Sequence, residues 1–263
     1  MYKNWYLLLF VVLISCTAKH DHDHDTEMVV NLQFDNVHYL SQRTALVARV
    51  GNNFLVRGNL PIDPAGNFVY DSIIHFIETQ APGILTSSHW LIDVSMIDNR
   101  PAGELPELQN ELKGYGLANT AIPDYWPPFS QGYVSLLQGE QVNGHNGRFF
   151  WWPIEGYSPR YSWNDRMSTF ITGGYNFDGL VDKIDSLFRD TSQNRIIYYH
   201  CTWGADRTGA LTYGWLVKHG GYSRDSALAK VNSVTIPNDN YRLMIDDYQK
   251  YLDSVGGKRR TNF

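Results

Sequence analysis

Cysteine is scarce in this chain: its 263 residues include only Cys16 and Cys201, so a framework of several disulfides is excluded. Basic residues do not outnumber acidic ones, because 22 Lys and Arg stand against 27 Asp and Glu and give a formal net charge of −5. An acidic chain repels nucleic acid and anionic lipid head groups, so we predict no nucleic-acid partner. Any phosphate that the protein binds therefore needs a local site. The sequence also contains no evident internal repeat.

Apolar and aromatic residues are plentiful. Hydrophobic residues make up 43% of the chain and charged residues only 19%, which predicts a large buried core rather than disorder. Aromatic residues reach 14%, with 17 Tyr and 8 Trp. The length fits one large domain, or one domain with an insertion.

The N-terminal apolar run, from Trp5 to Ile14, is too short to cross a bilayer and is typical of a secretory signal. It ends in Leu13-Ile14-Ser15-Cys16, which resembles the lipobox of bacterial lipoproteins. The resemblance implies cleavage before Cys16, lipid attachment to its thiol, and a place on the periplasmic or outer face of a bacterial cell envelope. An ordinary signal peptide or a weak membrane anchor is the alternative. If Cys16 is acylated, Cys201 is the only free thiol.

We divide the chain into a signal peptide (1–15), a tether (16–28) and one folded domain (29–263). The tether contains alternating His and Asp at residues 20–25. Imidazole and carboxylate groups could bind a metal ion. We interpret this run as a solvated linker, because it has no apolar residues around which to fold.

Apolar patterning predicts an α/β fold with a central, mostly parallel sheet flanked by helices. Residues 123–166 are rich in Trp, Pro, Gly, Asn and Tyr, and we interpret them as an insertion of loops with a hairpin. This insertion is either a substrate lid or an aromatic patch that buries itself on the domain. The predicted strands are Phe54–Val56, His89–Met96, Gly116–Ile122 and Arg195–Tyr199. The predicted helices are Phe68–Thr79, Pro106–Lys113, Phe177–Phe188, Ala210–His219, Ser223–Val231 and Asp239–Leu252.

The segment most informative about chemistry runs from His200 to Gly209 and reads HCTWGADRTG. It follows an apolar strand and opens a helix, so Cys201 faces unpaired amides and the positive end of a helix dipole, which favour a thiolate. Five residues separate Cys201 from Arg207, enough for the backbone to curl round a phosphate that the guanidinium then binds through two oxygens. Gly204 permits the close backbone approach that such a curl requires.

These ten residues match the H-C-x5-R-[ST] signature, so the chain resembles the cysteine-dependent protein tyrosine and dual-specificity phosphatase superfamily, with an ending closest to its atypical bacterial and fungal members. The resemblance implies that Cys201 attacks phosphorus and forms a phosphocysteine. Thr208 would stabilise the leaving thiolate, and His200 would orient the loop. No metal or cofactor is implied. The phosphate oxygens would be held by the amides of Thr202, Trp203, Gly204, Ala205, Asp206 and Arg207, together with the Arg207 side chain.

The general acid is less well specified by the sequence. Asp165 lies 36 positions before Cys201, close to the spacing of about thirty that the resemblance implies. Asp206 lies within the loop itself, and some relatives with Asp at this position are thought to use it. Asp178 is expected to cap a helix, and Glu155 in Trp152-Pro153-Ile154-Glu155 superficially resembles a W-P-D loop but lies 46 positions upstream.

We expect a phosphomonoester substrate, foremost phosphotyrosine in a protein, because Trp203 and the aromatic insertion could stack on a phenyl ring. The first alternative is an inositol-phosphate or phosphoinositide phosphatase, whose basic pocket Lys218, Arg160 and Arg166 would supply only in part. The second is a phosphoprotein-binding module without catalysis. A rhodanese-like sulfurtransferase fits the Arg207-Thr208-Gly209 ending poorly. The sequence does not specify an oligomeric state.

Overall fold

The structure, a computed structural model, describes residues 37–84, 86–98, 104–117, 134–137, 141–154 and 156–260. The predicted signal peptide, tether and lipid-attachment site at Cys16 lie outside the described residues. No helix in the described part of the chain has both the length and the apolar character needed to cross a membrane.

The described residues form one seven-stranded mixed sheet in the spatial order β1-β2-β7-β3-β6-β4, with β5 paired to β6. Strands β2, β7, β3 and β6 are parallel to one another, and β1 and β4 are antiparallel to their neighbours. The strands are β1 Ala45–Val50, β2 Asn53–Asn59, β3 Trp90–Ser95, β4 Val134–Leu137, β5 Gln141–Val142, β6 His145–Trp151 and β7 Arg195–Cys201.

Helices cover both faces of the sheet. One apolar cluster includes Ile73 of α1 and Leu108 of α2, and the other includes Leu180 of α4 and Leu211 of α5. The described residues contain seven α-helices: α1 Tyr70–Gln80, α2 Leu105–Gly114, α3 Trp163–Arg166, α4 Phe177–Arg189, α5 Asp206–Lys218, α6 Arg224–Asn232 and α7 Asp239–Arg260. A short π-helical turn, Met167–Ile171, continues α3.

Strand β7 lies at the centre of the sheet, and its side chains alternate between the two clusters. Ile196 and Tyr198 pack on one face, and Ile197 and Tyr199 pack on the other. A strand with two buried faces has no polar side, which explains its continuous apolar and aromatic sequence. The predicted fold class, a mostly parallel sheet flanked by helices, is confirmed.

The predicted insertion at 123–166 differs from the structure where the structure describes it. The aromatic run Phe149-Phe150-Trp151 belongs to β6, which pairs in parallel with β3 in the main sheet. Its alternating burial, with Phe149 and Trp151 fully covered, is that of a sheet strand and not of a lid. A hairpin is present, since β5 and β6 join through Asn143 and Gly144 at φ 48° and 81°, as a tight hairpin turn requires.

Two smaller predictions concern a strand and a helix cap. The strand predicted at Gly116–Ile122 lies mostly outside the described residues. Helix α4 is capped by Asn176, whose side-chain oxygen accepts a hydrogen bond from the Gly179 amide, and not by Asp178 as the sequence predicts. Asp178 instead pairs with Lys218 at 2.6 Å.

Candidate functional site

The predicted phosphate loop lies at the carboxyl end of the parallel strands. Strand β7 ends at Cys201, α5 begins at Asp206, and β2 and β3 lie on either side of β7. Crevices at the carboxyl ends of parallel strands are where α/β proteins place their sites. The position predicted for the loop is therefore the one observed.

Cys201 is tied to the start of α5 by one side chain. The Thr208 hydroxyl donates to the Cys201 sulfur at 3.2 Å and accepts from the Cys201 amide at 2.8 Å. Cys201 is buried, with 1% of its surface exposed, and Thr208 is fully buried. The Thr208 hydroxyl therefore contacts both the backbone amide and the side-chain sulfur of Cys201. This is the position that the sequence predicts for a group that stabilises the thiolate.

Three successive carbonyl groups of the loop accept hydrogen bonds from outside it. The oxygen of Thr202 accepts from the Leu60 amide at 3.2 Å. The oxygen of Trp203 accepts from Arg43 at 3.1 Å, and that of Gly204 accepts from Arg57 at 2.7 Å.

These bonds have a consequence for the loop amides. In a trans peptide the C=O of one residue and the N–H of the next point in opposite directions. With their carbonyls held outward, the N–H groups of Trp203, Gly204 and Ala205 point to the inside of the loop, and no described residue accepts a hydrogen bond from them. Successive inward amides form an anion-binding concavity.

Gly204 is required for this arrangement. Its φ is +68°, in the left-handed region. A Cβ at this position would lie 2.7 Å from the Gly58 oxygen and 2.9 Å from the Asn59 amide. The loop therefore rests directly on the backbone of β2, at a distance that only glycine permits.

Arg207 is held by Glu104, which precedes α2. Both terminal nitrogens of the guanidinium donate to the Glu104 carboxylate, one of them at 2.7 Å, and the same nitrogen reaches the Met96 carbonyl at 2.9 Å. Glu104 also accepts from the Thr202 hydroxyl and from the Asp98 amide. Burial raises the pKa of Glu104, but Arg207 and these donors lower it more, so the carboxylate stays charged. Burial lowers the pKa of Arg207, but Glu104 raises it well above its usual value.

His200 lies in a buried cluster with two carboxylates. Its Nε2 is 2.6 Å from Glu111 and 3.1 Å from Asp93, and its Nδ1 is 3.3 Å from the Cys201 oxygen. Burial lowers the pKa of His200, but Glu111 and Asp93 raise it well above its usual value. Burial raises the pKa of Glu111 to about 8, although His200 opposes the rise. The candidate metal-ligand atoms of these three residues lie within 4.8 Å of one another. The shortest contact is a charge-assisted hydrogen bond between His200 and Glu111, so we interpret the cluster as a hydrogen-bonded group that orients His200.

The two aspartates predicted as general acids are placed differently. Asp206 accepts from the Asn238 amide at 2.7 Å and from its side chain at 2.9 Å, which ties the loop to the start of α7. Asp165 is exposed on α3 and bonds to Ser162 at 2.7 Å, and no hydrogen bond in the described structure joins it to the phosphate loop.

Glu155 lies outside the described residues, but the residues before it reach the site. The Trp152 amide donates to Ser95 at 2.8 Å, and the Ile154 amide donates to the Met96 carbonyl at 3.5 Å. Arg207 donates to the same Met96 carbonyl. The chain segment that follows β6 therefore passes beside the Arg207 side chain, which we call the phosphate clamp.

A cavity of about 570 Å³ opens beside the loop. Its walls combine loop side chains, including Trp203, with apolar residues from the connection between α6 and α7, and Arg43 lies at its edge. The lining residues are Arg43, Trp203, Ala205, Asp206, Val234, Thr235, Ile236 and Asn238. Its mixed lining suits a ligand with an apolar body and an anionic group.

Sequence reasoning missed Glu104, Arg57 and Arg43. Each lies far from the motif in sequence, and only the parallel pairing of β2, β3 and β7 brings their segments to the loop. The one available signal was a charged residue, Arg57, at the end of an apolar strand beside a Gly-Asn-Leu-Pro turn.

No protein-family model and no curated protein matches the sequence. Solved structures resembling the chain include human DUSP28, with a TM-score of 0.39 and 14% identity over 80% of this chain and 95% of that one. PTPMT1 in complex with PI(5)P has a TM-score of 0.40 and 11% identity over 80% and 97%. The Trypanosoma brucei protein tyrosine phosphatase TbPTP1 has a TM-score of 0.38 and 14% identity over 81% and 73%.

Proposed function

We propose that this protein is a cysteine-dependent phosphatase that hydrolyses phosphomonoesters through a phosphocysteine. The Cys201 sulfur attacks phosphorus, the ester P–O bond breaks, and the leaving oxygen takes a proton from a general acid. Water then attacks the phosphocysteine and gives a proton back to the deprotonated general acid, the S–P bond breaks, and inorganic phosphate and the thiolate are released. Thr208 stabilises the sulfur anion in both steps through its hydrogen bond.

The observation that carries this proposal is the set of loop carbonyls held outward at Thr202, Trp203 and Gly204. Because the protein's own groups hold these carbonyls, the opposing amides form a prepared site for the phosphoryl oxygens, and little reorganisation is needed as charge redistributes. Arg207 lies on the first turn of the helix that follows, with Glu104 orienting its guanidinium. Phosphoryl transfer to sulfur needs a nucleophile, a set of amide donors and a cation close together. The loop supplies the first two, and Arg207 on the first turn of α5 supplies the third.

We further propose aryl phosphates, phosphotyrosine foremost, as the substrate class. Trp203 and the apolar residues Val234 and Ile236 line the cavity beside the loop and offer a surface for a phenyl ring. An inositol polyphosphate would need several free cations. Of the three considered from sequence, two are paired, Lys218 with Asp178 and Asp182 and Arg166 with Asp247 at 2.6 Å, and the third, Arg160, is exposed. This pairing favours the aryl substrate.

A phosphate-release screen tests both proposals. We expect turnover of p-nitrophenyl phosphate and phosphotyrosine peptides in the presence of chelator, with slower or no release from phosphoserine peptides and inositol hexakisphosphate. Cys201→Ser is the control, because it keeps the loop but removes the nucleophile, and it should abolish release. Exclusive turnover of the inositol phosphate would reject the aryl assignment. Phosphopeptide binding without turnover would reject the enzyme in favour of a binding module.

We also propose that Cys16 carries a lipid and anchors the protein in a bacterial cell envelope, on the evidence of the Leu13-Ile14-Ser15-Cys16 sequence. Bacteria expressing the full chain with labelled palmitate should incorporate the label and retain the protein in the membrane fraction. Cys16→Ser should lose both properties, whereas Cys201→Ser, which changes the other cysteine, should keep them. Equal labelling of the two variants would reject the anchor.

A further inference from the structure

Arg57 is a buried cation with no acidic partner among the described residues. It lies on β2 opposite Tyr199 of β7, and 1% of its surface is exposed. No described carboxylate lies within ion-pair distance of it. Burying a guanidinium in a dry interior costs several kcal/mol unless an anion compensates it. The position therefore needs an explanation beyond packing.

The donors of Arg57 are only partly satisfied. One terminal nitrogen donates to the Gly204 carbonyl at 2.7 Å and to the Thr235 hydroxyl at 3.1 Å. The Nε and the other terminal nitrogen are buried and have no hydrogen-bond partner in the part of the chain that the structure describes. Unpaired buried donors are rare in native proteins, and here two of them belong to a charged group.

One group near Arg57 can supply the missing negative charge. Burial lowers the pKa of Arg57, while Tyr199 and Cys201 raise it and Arg43 lowers it further. Burial raises the pKa of Tyr199 to about 12, so this phenol is neutral at physiological pH. Cys201 lies two residues further along β7 and on the same face of the sheet as Tyr199, and the thiolate of this proposed nucleophile would supply the charge.

The other charged groups around the loop have partners of their own. Arg207 and Glu104 bind each other, His200 is bound by Asp93 and Glu111, and Arg43 donates to Trp203. Tyr241 of α7 also faces Arg207. Among the described residues around the loop, Arg57 is thus a buried cation that has hydrogen-bond acceptors but no carboxylate partner.

We propose that Arg57 is a positioning residue for the reaction, an internal counter-ion that stabilises the Cys201 thiolate and fixes the Gly204 carbonyl away from the phosphate. This inference rests on the proposed phosphatase function and deepens it. In the free protein the guanidinium balances the sulfur anion. With substrate bound, it adds positive charge behind the loop while its hydrogen bond keeps the inward amides in place.

The test is the pH dependence of Cys201 alkylation in the full chain, read by mass spectrometry of the peptide that contains it. Arg57→Met removes the charge at similar length, and the midpoint of alkylation should move up by about one pH unit or more. Arg57→Lys keeps the charge but changes the hydrogen bonds, and its midpoint should stay close to that of the unsubstituted protein. Arg49→Met, an exposed arginine on the neighbouring strand β1, should change nothing.

An unshifted midpoint in folded Arg57→Met would overturn the proposal, as would an equal shift in Arg57→Lys. Circular dichroism and thermal melting establish that each variant is folded. If Arg57→Met does not fold, Arg57→Gln takes its place under the same criterion, because its amide can still donate to Gly204. The alkylation midpoint does not depend on turnover. A shift without phosphatase activity would reject the proposed function alone, and activity without a shift would reject the role of Arg57 alone.

Discussion

At the scale of single residues, two buried groups of opposite charge support the phosphate site. Glu104 binds Arg207, and Arg57 binds the Gly204 carbonyl. Glu104 contacts Arg207 through both carboxylate oxygens and also accepts from the Thr202 hydroxyl, so one buried anion orients the clamp and one wall of the loop. Cys201, Arg207 and Thr208 could be predicted from sequence because they lie within eight consecutive positions. Glu104 could not, since an isolated glutamate 97 positions before Cys201 carries no local signal.

Glu104→Gln should impair catalysis more than its conservative shape suggests. The amide would present a donor to a guanidinium that is itself only a donor, so Arg207 would lose its orientation. We expect kcat/KM to fall by about 100-fold and stability by about 3–5 kcal/mol, the usual cost of breaking a buried ion pair. Steady-state kinetics and urea unfolding measure the two effects.

Glu107→Gln is the matched control, because it changes a buried glutamate one turn along α2 that does not bond to Arg207. Activity that survives in Glu104→Gln, or that falls equally in Glu107→Gln, would contradict the assignment of Glu104.

At the scale of elements, strands β2 and β3 support the loop from opposite sides. Strand β2 and the turn after it contact the loop carbonyls, and β3 leads to the Met96 carbonyl that accepts from Arg207. The strands β2, β3 and β7 could be predicted from apolar runs. Strand β6 could not, because Gly, Arg and Asn interrupt it and its Phe and Trp residues also suit a packed loop.

The general acid that protonates the leaving group can be sought in the segment that follows β6. Asp206 is bound at both oxygens by Asn238, whereas the segment Trp152–Ile154 runs beside the clamp. We expect Glu155→Gln to flatten the alkaline limb of the pH–rate profile and to slow poor leaving groups most, because such groups need protonation. Asp165→Asn tests one of the two general acids predicted from sequence in the same assay, and substitution of the other, Asp206→Asn, should instead lower activity at all pH values through the loss of the link to α7. If Asp165→Asn alone flattens that limb, the sequence prediction stands and Glu155 is excluded.

At the scale of the whole molecule, the buried cluster of Asp93, Glu111 and His200 makes folding depend on pH. The folded state raises the pKa of Glu111 to about 8 and that of His200 well above its usual value, so it binds more protons than the unfolded chain. Stability contributed by a raised pKa is complete below the unfolded value and is lost as pH rises through the folded one. The loss therefore begins above pH 4.5 for Glu111 and above pH 6.5 for His200.

We expect the free energy of unfolding to fall as pH rises from about 6.5 to 8, by about 1.4 kcal/mol per pH unit for each extra proton held. Urea unfolding at several pH values measures it. Glu111→Gln keeps a hydrogen-bonding side chain but cannot titrate, so its slope should be shallower. A slope that is unchanged in this variant would assign the pH dependence to other groups.

The Met96 carbonyl links Arg207 to the backbone that follows β6. Its oxygen accepts hydrogen bonds from both the Arg207 side chain and the Ile154 amide. Arg207 and the segment that follows β6 therefore share one acceptor. If the guanidinium turned onto a phosphate, the carbonyl would keep only the Ile154 amide as a donor. Phosphate binding at the loop would then change the hydrogen bonding of the backbone that precedes Glu155.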